Sequence, residues 1–131
     1  MAVRVSWTLT GIGDYLERLR KAGQDVDAAA GRAVQAGGAV LLDGMKRRVR
    51  KDTHNLEQHL EESPVNQDGN LVSVEVGMSR DVDADTARYG NAQEYGTSSM
   101  AAQSYIRATV DNDGAKARRA MRESLEGEGV L

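Results

Sequence analysis

Between Val26 and Lys51 the chain sets out a helical pattern and then interrupts it with glycine. Val26, Ala29, Ala30, Ala33, Val34, Val40, Leu41, Met45 and Val49 recur at helical spacing behind Asp25, a residue suited to an N-cap, so one helix is expected to run to about Lys51. Gly31, Gly37, Gly38 and Gly44 fall inside it. Each glycine costs about 1 kcal/mol against alanine in a helix interior. The pattern is tolerable only where a neighbour comes too close for a Cβ, or where the helix breaks near Gly37–Gly38. Close packing with a kink at that point is the expectation.

Composition narrows what can pack there. The 131 residues suit one domain, 1–131, and hold no Phe, one Trp and four Tyr. A core of Ala, Val, Leu and Met has few large anchors, which points to some stability arising from assembly with copies of itself or a partner. The absence of cysteine excludes disulfides, thiolate catalysis and Cys-based metal sites, and fits synthesis in a reducing cytoplasm. A net charge of -3, from 17 Lys plus Arg against 20 Asp plus Glu, leaves no global basic field for nucleic acid, so any DNA contact is local. No apolar run approaches the roughly 18 residues of a membrane span, and Met1 to Leu9 lacks the h-region of a secretory signal.

Other segments carry their own periods. Val3, Val5, Trp7 and Leu9 alternate with polar residues, giving a strand or arm over 1–10, and Ile12, Tyr15, Leu16 and Leu19 then mark a short amphipathic helix ending near Gly23. Leu56 to Val65 reads as a strand closed by Pro64; Asn66 to Asn70 is a turn; Leu71 to Met78 alternates with Val72, Val74, Val76 and Met78 on one face, which makes a hairpin. Ala87 to Tyr95 reads as a third strand before Gly96. From Ser104 or Asp111 onward, Ile106, Val110, Ala117, Ala120, Met121 and Leu125 suit a last helix, with Arg118, Arg119 and Arg122 outward and 126–131 as a frayed tail. The expected class is α+β, with two amino-terminal helices and a carboxy-terminal helix packed on a small antiparallel β-meander.

Catalytic patterns fail on spacing. His54 and His59 flank Glu57, but a zinc-protease pair needs a separation of four on a helix and here it is five. Gly11-Ile12-Gly13 has Leu16 where a dinucleotide loop needs glycine, and Asp111-Asn112-Asp113-Gly114 lacks the Glu that completes a calcium loop, so a helix cap or turn is expected there. No cofactor, metal or enzyme activity is expected. Two basic clusters, Lys46, Arg47, Arg48, Arg50 and Lys51, then Lys116, Arg118, Arg119 and Arg122, sit toward expected helix ends, where the macrodipole favours them. Their functional alternative is a surface for DNA or an acidic partner, which would make the chain a DNA-binding accessory protein.

One stretch is specific. Tyr89-Gly90-Asn91-Ala92-Gln93-Glu94-Tyr95-Gly96-Thr97, followed by Met100-Ala101-Ala102-Gln103-Ser104-Tyr105-Ile106-Arg107-Ala108, resembles the hallmark of tail-completion or head-to-tail joining proteins of tailed bacteriophages. In that family the pattern runs Tyr-Ala-x-Tyr-Val-Glu-Phe-Gly-Thr and then Met-Ala-Ala-Gln-Pro-Phe-Leu-Arg-Pro. Asp52-Thr53-His54-Asn55-Leu56 is similar to the family's Asp-Thr-Gly-x-Leu, with His54 in place of glycine; Ser104 and Ala108 stand where the family has prolines.

The resemblance implies a non-enzymatic virion protein of the neck or tail, made in the host cytoplasm and assembled as a ring, expected to be a hexamer, around the DNA channel. Its implied partners are copies of itself and head-completion or adaptor, tail-terminator or tail-tube proteins, with DNA passing through without specific binding and no membrane. The docking residues it points to are Glu94, Tyr95, Gly96, Thr97, Met100, Gln103, Tyr105 and Arg107, with Glu94 and Arg107 expected as a charge pair. The loop is expected either to reach a neighbouring subunit or to fold back on its own core. The glycine-bearing helix is the expected second patch of the ring contact.

Overall fold

The computed structural model describes residues 4–8, 26–49, 55–68, 71–99 and 101–129. The elements in chain order are β1 (Arg4–Thr8), α1 (Val26–Arg48), α2 (Asn55–Gln58), β2 (Leu60–Glu62), β3 (Asn66–Asp68), β4 (Leu71–Met78), α3 (Ala84–Tyr95) and α4 (Ile106–Gly127). The described residues thus form an α+β fold with one long amino-terminal helix. The shorter helix expected over 12–23 lies outside them, as does Asp25.

All strand pairing runs through β4 and is antiparallel: β1 lies along one side, from Arg4↔Gly77 to Thr8↔Ser73, and β2 and β3 share the other. The strand expected from Leu56 to Val65 is divided. Its first residues form α2, and its end is a bulge in which Ser63, Pro64 and Val65 stand between the pairs Glu62↔Val76 and Asn66↔Ser73. Proline lacks an N–H for the ladder. Ser63 fills in on both sides, its backbone N–H donating to Glu75 O and its Oγ accepting from Glu75 N, each at 2.8 Å.

β4 buries Val72, Val74, Val76 and Met78, and α1 packs against it while also lying along α4. The glycines of α1 explain how closely. A Cβ at Gly37 would sit 2.9 Å from Met121 Cγ, one at Gly38 would sit 2.9 Å from Val74 Cγ2, and one at Gly44 would sit 2.7 Å from Thr109 Cγ2. Gly31 is looser, with Val65 at 3.5 Å. The helix is continuous through Gly37 and Gly38, so close approach, and not a break, accounts for them. That closes the glycine face inside the protomer and removes it as the second ring patch. With no Phe, the core is filled by Tyr105, Leu41, Met45, Leu56, Met78 and Leu125.

The expected meander is corrected in its third member. Residues 84–95 are α3, a helix capped by Asp83, which accepts from Thr86 N at 3.0 Å and from Thr86 Oγ1 at 2.6 Å. Those hydrogen bonds hold the Asp83 carboxyl below its ordinary value. The buried positions of α3 are Thr86, Gly90, Gln93 and Glu94, a helical spacing written in small and polar residues, which hydrophobic periodicity overlooks. α4 also differs from expectation: Asp111 to Gly114 lie within it, and the tail expected to fray from Glu126 begins as its last turn, with the Arg32 guanidinium on the Glu128 carboxylate.

Candidate functional site

α3 ends at Gly96, whose φ of 78° is ready for glycine and strained for other residues, and whose N–H returns to Ala92 O at 2.7 Å. The chain leaves the helix there and re-enters structure at Tyr105, the N-cap position of α4. Tyr105 offers no side-chain cap to α4. The cap comes from Glu94 instead. One Glu94 oxygen accepts from Tyr105 N at 3.1 Å and Ile106 N at 2.7 Å; the other accepts from Arg107 N at 3.2 Å and Ser104 Oγ at 2.6 Å. Orphan N–H groups at a helix start carry partial positive charge, so a buried carboxylate is well placed there. Gln103 N, donating to Gln93 O at 2.7 Å, adds a further tie.

Beneath the clamp, the Tyr105 ring is fully buried, and Gly90 gives it room: a Cβ there would sit 2.6 Å from Met78 Cε and 3.3 Å from Tyr105 Oη. Burial first, and the charge of Glu94 second, push the Tyr105 hydroxyl above the usual tyrosine range. Beyond the clamp the picture reverses. Thr97, Ser98, Ser99, Ala101, Ala102 and Gln103 are all exposed, with Thr97 Oγ1 accepting from Ser99 N at 3.2 Å, and Tyr95 beside them is 66% exposed. The segment is an excursion whose two ends are tied to each other and whose described residues touch solvent.

The expected docking residues therefore divide. Tyr95, Thr97 and Gln103 are exposed on the excursion and Gly96 turns the chain into it. Met100 lies outside the described residues. Glu94 and Tyr105 are buried supports, and the expected Glu94–Arg107 charge pair is not formed: Glu94 takes the backbone N–H of Arg107, whose guanidinium is exposed. Ser104, which first stood out only as a departure from proline, is the hydroxyl that closes the clamp, and a serine ahead of a helical run was the available signal.

Residues 13–96 match a family model described as "Bacteriophage HK97-gp10, putative tail-component". The chain belongs to that family. No curated protein and no solved structure matches it. Membership in a phage tail-component family makes this a structural tail protein of the virion. The family match stops at Gly96, so the excursion lies just beyond it.

In this tail-component protein the two basic clusters have different surroundings. At the end of α1, Arg48 Nη1 reaches Asp113 Oδ2 at 2.7 Å, and Arg47 bridges Asp43 at 3.0 Å and Asp113 at 2.9 Å. The hydrogen bond from Arg48 holds the Asp113 carboxyl below its ordinary range. Those arginines fasten α1 to α4, while Lys46 is exposed and Arg50 and Lys51 lie outside the described residues. Arg118, Arg119 and Arg122 are exposed along α4, away from its last turn, which holds no basic residue, so the macrodipole does not explain them. Among the described residues no group of three or more His, Cys, Asp or Glu is placed to hold a metal, and no helix is long and apolar enough to cross a membrane. His59 sits at the turn after α2, and His54 is outside the described residues.

Proposed function

We propose that this protein completes the tail, or joins tail to head, in a tailed bacteriophage, and that it does so by docking the excursion 97–104 on an adjacent subunit or on the next ring. A closed ring, read as sixfold, surrounds the DNA channel, with head-completion or adaptor, tail-terminator or tail-tube proteins as neighbours and DNA passing without sequence-specific binding. The observation that carries the reading is the clamp: a buried carboxylate accepts four hydrogen bonds that hold the base of a segment whose described residues from Thr97 to Gln103 are all exposed beside Tyr95. Ordering a chain segment costs about 1–2 kcal/mol per residue, and a bare loop recovers none of that by itself. Holding the base rigid lowers the further cost of docking. Met100, unbranched and polarizable, suits a groove that changes shape during assembly.

The experiment is Met100→Asp in the full chain, followed by circular dichroism, sedimentation with and without the neighbouring neck and tail proteins, and complementation of phage production. The expected result is an unchanged spectrum and melting temperature with loss of ring or neck assembly. Wild-type assembly by the variant would refute the docking role, and loss of the fold would show the loop to be part of the core.

A further inference from the structure

Ala115, Arg118, Arg119 and Arg122 line a hollow of about 300 Å³ on α4. The spacings of three, four and seven place them on one helical face. What distinguishes these arginines is that they are free and grouped, where Arg107, also exposed, stands apart from them near the start of the helix. Arg4, Arg32, Arg47, Arg48, Arg80 and Arg88 each meet a carboxylate, whereas Arg118, Arg119 and Arg122 are exposed and meet none among the described residues. Lys116, exposed one turn before Arg119, adjoins the three arginines, and Asp111 and Glu126 lie one turn beyond either end of the face, so the site is a bounded cationic group and not a continuous basic stripe.

We propose that this face contacts the phosphate backbone of duplex DNA without reading sequence. Two features choose phosphate over a protein partner. Guanidinium forks match phosphate oxygens in paired geometry. The cores of protein interfaces are depleted in charge, and three of the four side chains lining this hollow end in a guanidinium, with Ala115 the one apolar residue among them. The exposed Tyr95 and the clamped excursion supply the kind of surface a protein partner needs, at a different place on the molecule. The inference rests on the proposed position in the tail or neck only for how DNA comes to meet the protein. Three cations give a weak, salt-sensitive contact that DNA slides past, because affinity should fall with salt at a log–log slope of about -2 to -3.

The test uses the full chain and a fluorescently labelled duplex of mixed sequence, followed by anisotropy over a salt series. Binding at low salt with that slope is expected, and Arg118→Gln, Arg119→Gln and Arg122→Gln together should weaken it roughly tenfold or more. A second triple, Arg32→Gln, Arg80→Gln and Arg88→Gln, removes the same charge elsewhere and should change affinity by less than about threefold. Equal losses from the two triples would overturn the assignment, since bulk charge would then explain binding. No binding by wild type at low salt would overturn it also, and loss of a partner protein by the α4 triple in that case would assign the face to an acidic polypeptide. The Met100→Asp variant should bind the duplex as wild type does, so failure of assembly and failure of the phosphate site are read separately.

Discussion

The α1–α4 junction and the α3–α4 connection are both built on a carboxylate that reaches across helices, yet one closes a surface and the other opens one. At the junction, Asp113 gathers Arg47 and Arg48, and Gly44 lets the helices meet, so a basic run becomes an internal fastening. At the connection, Glu94 gathers backbone N–H groups from the start of α4, and the segment it holds stays in solvent. A charge or a glycine therefore has no function by composition alone. Its role is fixed by the partner that the fold brings to it, and what is left without a partner is where the molecule can meet something else.

Breaking the connection should have the larger effect. Glu94→Ala strands three backbone donors and the Ser104 hydroxyl, two of the donors buried, and should lower stability by about 2–4 kcal/mol in denaturant unfolding, with loss of assembly even where the variant folds. Retention of both stability and assembly would dissolve the contrast between the two regions.

Acid and base should act on different carboxyls, with opposite signs. The Asp113 carboxyl lies below its ordinary value, so its contribution is present above about pH 4 and is lost as the pH falls through the folded value; Asp113→Asn should flatten that acid-side loss. Glu62 has the reverse shift. Burial pushes its carboxyl up to about 7, with Oε2 enclosed beside Gly38 and Val74 and no partner for it among the described residues. Its contribution is complete below the ordinary value of 4.5 and is lost as the pH rises through about 7. Glu62→Gln should therefore be the more stable protein at pH 8, by about 1–2 kcal/mol after solvent screening, and indistinguishable from wild type near pH 4. Thermal melts across pH for the three proteins decide this. Of the expected changes, the α4 arginine triple should affect stability least, within about 0.5 kcal/mol, since it touches only exposed side chains.

Much of this contrast was legible in the residues, and the part that was not has a physical reason. α1, β1, β4 and α4 declare themselves because their buried positions are apolar at a regular period, and the glycines of α1 correctly imply close neighbours. α3 escapes because its inward face is Thr86, Gly90, Gln93 and Glu94, which no hydrophobic pattern marks, while Tyr89 and Tyr95 imitate a strand. The bulge at Pro64 hides behind an apolar run. Asp113 reads locally as part of a turn, and only the tertiary meeting with Arg48, 65 residues earlier, gives it a role. The importance of Glu94 was visible by resemblance, but its partner was misassigned, because a side-chain pair is easier to imagine from sequence than a cap between two helices.

Imaging of the intact particle at side-chain resolution tests the central claim most directly. The account predicts residues 97–104 seated against a neighbouring subunit or the adjoining ring, with the Glu94 clamp intact beneath them. Density showing that segment in solvent on every copy, with neighbours joined through other surfaces, would contradict it.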